Sequence, residues 1–177
     1  MEHHALYRYQ PANTQIIFAG QIQTETAYYQ PHPDINAPFN AVPRLNDPTA
    51  KGGCKNGTNC DGLGLRVLDS QNVNIYGAGL YSFFDDYNTC EQQTKPHIPV
   101  GEYDELMRAT ACSYPVSGEI CQRSIFSIEG KRSSNVNVYN LNTIGATSMI
   151  DREGVSLARF KDNVDVFPDD VAIFRLD

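Results

Sequence analysis

One carboxylate in the sequence has the neighbours that sugar chemistry requires. Glu25 lies in the run Gln21–Pro31, at the end of a predicted strand and the start of a long loop, with Tyr28 and Tyr29 close behind it. Aromatic faces pack on pyranose rings, amides and hydroxyls pair with sugar hydroxyls, and a partly buried carboxyl can hold the proton that it donates. These residues are the ingredients of a sugar site at Glu25, although an exposed glutamate that merely follows a strand is the commoner origin of such a pattern.

A second carboxylate and a histidine pair lie near the first residue of the sequence. Glu2 precedes Glu25 by 23 positions, about one turn of a strand solenoid, so the two carboxyls could be neighbours on one face. His3 and His4 are adjacent, and strand alternation sends one inward and one outward. We therefore predict no metal site here.

Another acidic and aromatic cluster, Asp85 and Asp86 within Tyr81–Tyr87, also follows a predicted strand. Acids in the turn after a strand are routine, so this cluster receives no catalytic role. The sequence has no Gly-rich phosphate loop and no Gly-x-Ser-x-Gly elbow, and nothing in it predicts a cofactor.

The elements that must position these residues are strands, and they recur. Three segments share one plan, in which a β-rich run leads through a tight polar turn with Asn or Gln to a second β-rich run. They are His4–Tyr9 leading to Gln15–Phe18, Leu63–Leu68 leading to Asn72–Tyr76, and Ser124–Ile128 leading to Asn135–Tyr139. Such self-similarity predicts an all-β solenoid, a parallel β-helix whose corner side chains bond their own backbone. The alternative is a β-sandwich with coincidental spacing.

Two long irregular segments separate the repeated units, at about 28–62 and 88–119. In a solenoid such segments emerge from one face and often wall a binding groove. Glu102–Ala111 is the one helical candidate, and Asp165–Leu176 ends in a strand that we expect to cap the last coil. We assign residues 1–177 to one domain.

Charge and hydropathy exclude two partner classes. The net charge of −7, with no basic run, argues against nucleic acid, whose phosphates require clustered Lys and Arg. No apolar run is long enough to span a membrane, and the first residues lack the regions of a signal peptide.

The cysteines indicate an oxidising compartment. The five of them lie in polar, loop-like segments without zinc-ligand spacing, which favours disulfides. Cys54 could pair with Cys60, and Cys90 with Cys121, which leaves Cys112 over. With the glycosylation sequon at residues 56–58, this pattern predicts a secreted parent whose leading part is missing here.

Four motifs in order carry a family resemblance. Glu2–Gln10, Gln21–Pro31, Ile75–Phe84 and Val138–Thr143 resemble the fungal-type exo-β-1,3-glucanases of glycoside hydrolase family 55. The resemblance runs from Glu2 to the C-terminus, interrupted at the two cysteine-bearing segments. It implies secretion, two right-handed parallel β-helix domains with the active site between them, and release of glucose from the non-reducing end of β-1,3-glucan with inversion.

The same resemblance assigns roles by motif. It implies that Glu25 is the general acid and that Glu2 helps to place the attacking water. Tyr28 matches a sugar-contacting aromatic, while Gln23 and Tyr29 are substrate-binding candidates by proximity.

The chain is predicted to be the C-terminal part of such an enzyme, so the first β-helix domain is its expected intramolecular partner. A pectate-lyase-like calcium site is disfavoured, because no cluster of aspartates lies beside a basic residue. The rival function is a non-catalytic or vestigial β-glucan-binding module.

Overall fold

The computed structural model of the chain describes residues 4–25, 40–49, 62–82, 122–163 and 169–177. In these ranges the fold is all-β, with ten strands and two single-turn 3₁₀ helices. The strands are β1 (Tyr7–Tyr9), β2 (Gln15–Thr24), β3 (Leu63–Leu68), β4 (Gln71–Tyr81), β5 (Gln122–Ser124), β6 (Phe126–Glu129), β7 (Ser134–Ile144), β8 (Ala146–Arg152), β9 (Val155–Arg159) and β10 (Asp169–Leu176), and the 3₁₀ helices are Pro43–Leu45 and Phe160–Asp162. No helix in these ranges has the length and apolar character that a membrane span needs.

The three repeated segments lie on one another as layers. The first layer is β1 with β2, the second β3 with β4, and the third β5 and β6 with β7. Corresponding strands pair in parallel, so that β1, β3 and β6 belong to one sheet and β2, β4 and β7 to another. This pairing confirms that the sequence repeat is a structural repeat.

The layers share one register along the second sheet. Ile17 pairs with Val73 and Val73 with Val136, while Ile75 pairs with Val138. Because strand side chains alternate between faces, these residues form inward rows that shield one another from water. The fully buried core side chains are Leu65, Val67, Val73, Ile75, Leu80, Ile125, Phe126, Ile128, Val136, Val138, Leu141, Met149 and Ile150.

Of the six predicted strands, Leu63–Leu68 alone keeps its bounds, and the three of the second sheet extend further, to Thr24, Tyr81 and Ile144. The strand predicted from His4 begins at Tyr7, and the run Ser124–Ile128 is broken at Ile125. At the break, the amides of Gly64 and Leu65 both donate to the Ile125 carbonyl, at 2.9 and 3.2 Å. The bulge turns the Ile125 side chain into the core, where it is fully buried.

Each long strand of the second sheet bends at a left-handed residue, and the bends are stacked. Ile16, Asn72 and Asn135 occupy aligned positions with φ of 59°, 55° and 50°. Asn tolerates this conformation because its short polar side chain can bond locally, whereas a β-branched residue pays a steric penalty. The Asn135 side-chain amide donates to Asn72 Oδ1 at 2.7 Å. This hydrogen bond joins two layers, whereas the sequence predicts a bond from each corner side chain to its own backbone.

A second row of left-handed residues lies five positions further along each strand. Gln21, Gly77 and Asn140 have φ of 52°, 75° and 58°. Between the two rows, the rings of Phe18, Tyr76 and Tyr139 stack on the outer face, with centroids 5.0 and 4.6 Å apart. The aromatic side chains on the outer face are therefore stacked from layer to layer, as the strands are.

Antiparallel strands close one end of the stack. β10 pairs with β7, and β9 pairs with β8, which itself continues the first sheet in parallel. The strand expected near the C-terminus is thus confirmed, and it covers the edge of the second sheet. Covering an edge in this way removes a row of unpaired backbone groups.

A buried arginine ties the first sheet to the segment 40–49. Arg66 donates from Nε and Nη2 to the two carboxylate oxygens of Glu129, at 2.9 and 2.7 Å. Its Nη1 reaches Gln10 and the carbonyl of Asn46. The bidentate geometry is the strongest arrangement available to a guanidinium and a carboxylate.

The carboxyl of Asp151 is buried at the end of β8, next to the turn of the β8–β9 hairpin. Asp151 accepts hydrogen bonds from the hydroxyls of Ser124 and Ser127 and, at 3.0 Å, from the amide of Gly154. Burial raises the pKa of Asp151, and these hydrogen bonds offset only part of that effect.

Several sequence predictions lie outside the described residues. They concern Glu2, His3, Tyr28, Tyr29, the sequon at 56–58, Asp85, Asp86, the helical candidate at 102–111 and all five cysteines.

Replacing Ile16 with Asn should stabilise the protein. Ile16 is 82% exposed and β-branched at a φ of 59°, so the substitution removes a strained residue and extends the row of Asn72 and Asn135. We expect a gain of about 1 kcal/mol in the free energy of unfolding, measured with urea. Val155→Asn, at an exposed strand position that is not left-handed, is the matched control. An equal or larger gain in the control would contradict the strain argument.

Replacing Asp151 with Asn should change how stability depends on pH. Because the folded-state pKa is raised, the contribution of the Asp151 carboxyl is complete below about pH 4 and is lost as pH rises through the folded pKa. The unfolding free energy of the wild type should therefore fall relative to Asp151→Asn across that window. Parallel pH profiles from urea unfolding would refute the assignment.

Candidate functional site

The three parallel strands of the second sheet end at one corner of the stack. Thr24 pairs with Leu80, and Leu80 with Thr143, so β2, β4 and β7 reach this corner in register. Residues 25 and 82 are the last described residues before 26–39 and 83–121. The candidate site is built on these three strand ends.

Glu25 and Gln23 lie on the outward face of β2. They are two positions apart and flank the fully buried Thr24, so alternation sends both side chains outward. Gln23 is exposed and Glu25 is half-buried. The Gln23 side-chain amide donates to Glu25 Oε1 at 3.4 Å, a long hydrogen bond that orients the carboxyl.

A tyrosine folds across the neighbouring strand. Gln23 pairs with Gly79 on β4, and a Cβ atom built on Gly79 would lie 2.7 Å from the Tyr81 hydroxyl oxygen and 2.9 Å from Cζ. Tyr81 therefore lies back over Gly79, beside the strand that carries Gln23. The missing side chain at Gly79 makes room for the ring.

The third strand adds amides to the same row. Gly79 pairs with Asn142 on β7, and the Asn142 amide donates to Asn140 Oδ1 at 3.3 Å. The row of Gln23, Tyr81 and Asn142 offers an aromatic body with amide and hydroxyl groups around it. Such a surface suits a ligand with apolar ring faces and many hydroxyls.

Tight packing around Thr24 supports the row from the side of the core. A Cβ atom on Gly64 would lie 3.0 Å from Thr24 Oγ1 and 3.3 Å from Ile125 Cγ1. Thr24 is thus held between β3 and the core, which fixes the backbone from which Glu25 projects.

Among the described residues of this corner, Glu25 supplies the carboxyl, a group that commonly transfers protons in hydrolysis. Tyr81, Gln23 and Asn142 can donate and accept hydrogen bonds around that carboxyl. Within the described ranges, no three His, Cys, Asp or Glu residues come together as a metal site would require. The chemistry that the row supports is acid–base work on a hydroxyl-rich ligand.

The structure brings together two of the five predicted site residues, Glu25 and Gln23. Glu2, Tyr28 and Tyr29 lie outside the described residues. Neither Tyr81 nor Asn142 is predicted as a site residue from the sequence. The alignment of the repeats could have identified both residues. Gln23-x-Glu25, Gly79-x-Tyr81 and Asn142 occupy equivalent positions in successive repeats.

Relatives of known description match this chain over most of its length. It is 38% identical over 168 residues to a glucan 1,3-beta-glucosidase of Cochliobolus carbonum, a match that covers 94% of the chain and 18% of that protein. It is 32% identical over 174 residues to a probable glucan endo-1,3-beta-glucosidase of Arthroderma benhamiae, which covers 98% of the chain and 17% of that protein. No protein-family model matches the chain.

A shorter match has a different description. Over 77 residues the chain is 40% identical to a non-secreted LysM effector of Penicillium expansum, covering 43% of the chain and 6% of that protein. The chain spans less than a fifth of the length of the two glucosidase relatives.

Gly79→Ala should displace Tyr81 at little cost in stability. The new Cβ would meet the far end of a flexible side chain rather than backbone, so we expect a loss below about 1 kcal/mol in urea unfolding. Gly154→Ala is the matched contrast, because it has open space but a φ of 81° and should cost about 1–2 kcal/mol through backbone strain. A larger loss at Gly79 than at Gly154 would show that Tyr81 is fixed in place. A crystal structure of Gly79→Ala checks the moved ring.

Proposed function

We propose that this chain is part of a glycoside hydrolase that acts on β-1,3-glucan and that Glu25 is its general acid. The observation that carries the proposal is the outward carboxyl of Glu25, oriented by Gln23 and flanked on the next strand by Tyr81. The two glucosidase relatives, matched over nearly the whole chain, supply the substrate class.

The chemical role of Glu25 follows from its surroundings. The Gln23 amide donates to Oε1, so the proton of the neutral acid belongs on Oε2. Transfer of that proton to the glycosidic oxygen lets the leaving sugar depart as an alcohol while positive charge develops on the other ring. Gln23 keeps Oε2 directed at the substrate through the reaction.

We further propose cleavage with inversion from the non-reducing end. An inverting site needs a water molecule opposite the acid, with the two working carboxyls about 6.5–9.5 Å apart. Glu2 is the proposed second carboxylate, on the resemblance of its motif. Tyr28 and Tyr29 are proposed to pack against the sugar, and Tyr81 and Asn142 add the contacts that the strand ends provide.

The proposed architecture is a right-handed parallel β-helix of the glycoside hydrolase family 55 type. The parallel layers and their stacked left-handed corners support it. In a full-length parent we propose a preceding β-helix domain that forms the opposite wall of the cleft, secretion, and disulfides among the five cysteines.

Two other functions have specific support. The Arthroderma benhamiae relative is described as a probable endo-glucosidase, which favours internal cleavage of the glucan. The second is a non-catalytic glucan-binding module, for which the amides of Gln23 and Asn142 and the ring of Tyr81 would suffice without proton transfer.

Glu25→Gln should abolish glucose release from laminarin and preserve binding of laminari-oligosaccharides. The amide keeps the shape of the carboxyl but has no proton to transfer, so we expect a rate loss of about 100-fold or more. Asn142→Ala is the control, because it trims the same row without touching the proton donor and should mainly weaken binding. Glucose is measured enzymatically and binding by calorimetry.

The outcomes separate the three functions. Glucose as the first product supports cleavage from the chain end, whereas a ladder of oligosaccharides supports internal cleavage. Binding without turnover by the unmutated chain supports the module, and equal turnover in Glu25→Gln contradicts the role of the acid.

A further inference from the structure

The row of the candidate site continues onto the last strand of the chain. Asp170 on β10 pairs with Asn142. Asn142 pairs in turn with Gly79, and Gly79 with Gln23. Asp170 is exposed and the next residue, Val171, packs against the core, so alternation directs the Asp170 side chain to the outer face. Opposite residues on antiparallel strands have Cβ atoms about 5 Å apart, which places the Asp170 carboxyl beside the Asn142 amide.

The extended row presents one polar group from each strand that it crosses. These groups are the Gln23 amide on β2, the Tyr81 hydroxyl that lies over Gly79 on β4, the Asn142 amide on β7 and the Asp170 carboxyl on β10. None of these four side chains is basic. An anionic polymer would need Lys or Arg here, whereas amides, a phenol and a carboxylate suit a neutral polymer with many hydroxyls.

The length of the row sets the size of its ligand. Neighbouring strands of a sheet lie about 4.8 Å apart, so the three steps from β2 to β10 span about 14 Å. This span exceeds one pyranose ring, and a ligand that reaches from Gln23 to Asp170 must be an oligosaccharide. The Gln23 amide donates to Glu25 at one end of the row. Such a ligand therefore runs from the proposed acid along the stack, across the strands.

We propose that this row binds the leaving side of the glucan and that Asp170 is its far contact. The inference rests on the proposed function, and it adds the direction in which the substrate lies. Removal of one glucose from the chain end leaves a single unit on one side of the Glu25 carboxyl and the remaining polymer on the other. Only the polymer side is long enough to reach Asp170, whose carboxylate accepts hydrogen bonds from the hydroxyls of a glucosyl unit.

The test is calorimetry with laminari-oligosaccharides of increasing length, from laminaribiose to laminarihexaose. The affinity of the wild type should rise with length until the oligosaccharide reaches Asp170. Asp170→Ala should lower the ratio of laminarihexaose to laminaribiose affinity about fivefold, as expected for the loss of a hydrogen bond to a charged group. Asp177→Ala is the matched control, because it removes the same charge about 20 Å further along the chain and should leave the ratio unchanged.

The order of the contacts gives a second measurement. Asn142 lies one strand nearer to the acid than Asp170 does. Asn142→Ala should therefore depart from the wild type at a shorter oligosaccharide than Asp170→Ala does. A departure at the same length in both variants, or at a shorter length in Asp170→Ala, would contradict the proposed direction of the substrate.

The outcomes distinguish this inference from the function on which it rests. An unchanged affinity ratio in Asp170→Ala, or an equal fall in Asp177→Ala, removes Asp170 from the site. Wild-type affinity that does not depend on oligosaccharide length overturns this inference alone, because binding near Glu25 would remain. If the wild type binds none of the oligosaccharides, the proposed function and this inference fail together.

Discussion

The parallel, in-register pairing of β2, β4 and β7 is the constraint on which the rest of the structure depends. A layer can add to this sheet only if its chain bends where the layer before it bends, because a slip of one residue would turn every core side chain outward. The left-handed residues at Asn72 and Asn135, and again at Gly77 and Asn140, meet that requirement. The inward rows of Val and Ile then supply the burial that holds the layers together.

The same constraint produces the candidate site. Since the strands stop together, residues that are distant in sequence come to lie side by side at one corner, where Gln23 adjoins Gly79 and Gly79 adjoins Asn142. Tyr81 can fold back only because the position beneath it is glycine. Thr24, packed against Gly64, fixes the strand end that carries Glu25. The layers thus hold the proposed acid and its neighbours at one corner.

Much of the fold can be predicted from the sequence, because the repeat shows in the alternation of apolar and polar side chains along each strand. The local sequence pattern predicts the Asn-containing corners and the inward rows of Val and Ile. The similarity of the three segments predicts that they stack in parallel. The break in the strand at Ile125 and the antiparallel strand β9 could not be predicted from the sequence, since both depend on how one layer packs against the next. For the site, a motif predicts Glu25 and proximity to it predicts Gln23, whereas Tyr81 requires the cross-strand register.

We propose that the Glu25 corner hydrolyses β-1,3-glucan with inversion. The most direct measurement is proton NMR of the chain mixed with laminarin, recording the anomeric signals of glucose before mutarotation mixes them. The account predicts that α-glucose appears first, because water displaces the β-linked sugar from the opposite face. Early β-glucose would indicate a covalent intermediate and retention, and the absence of any released sugar would contradict hydrolysis by this chain.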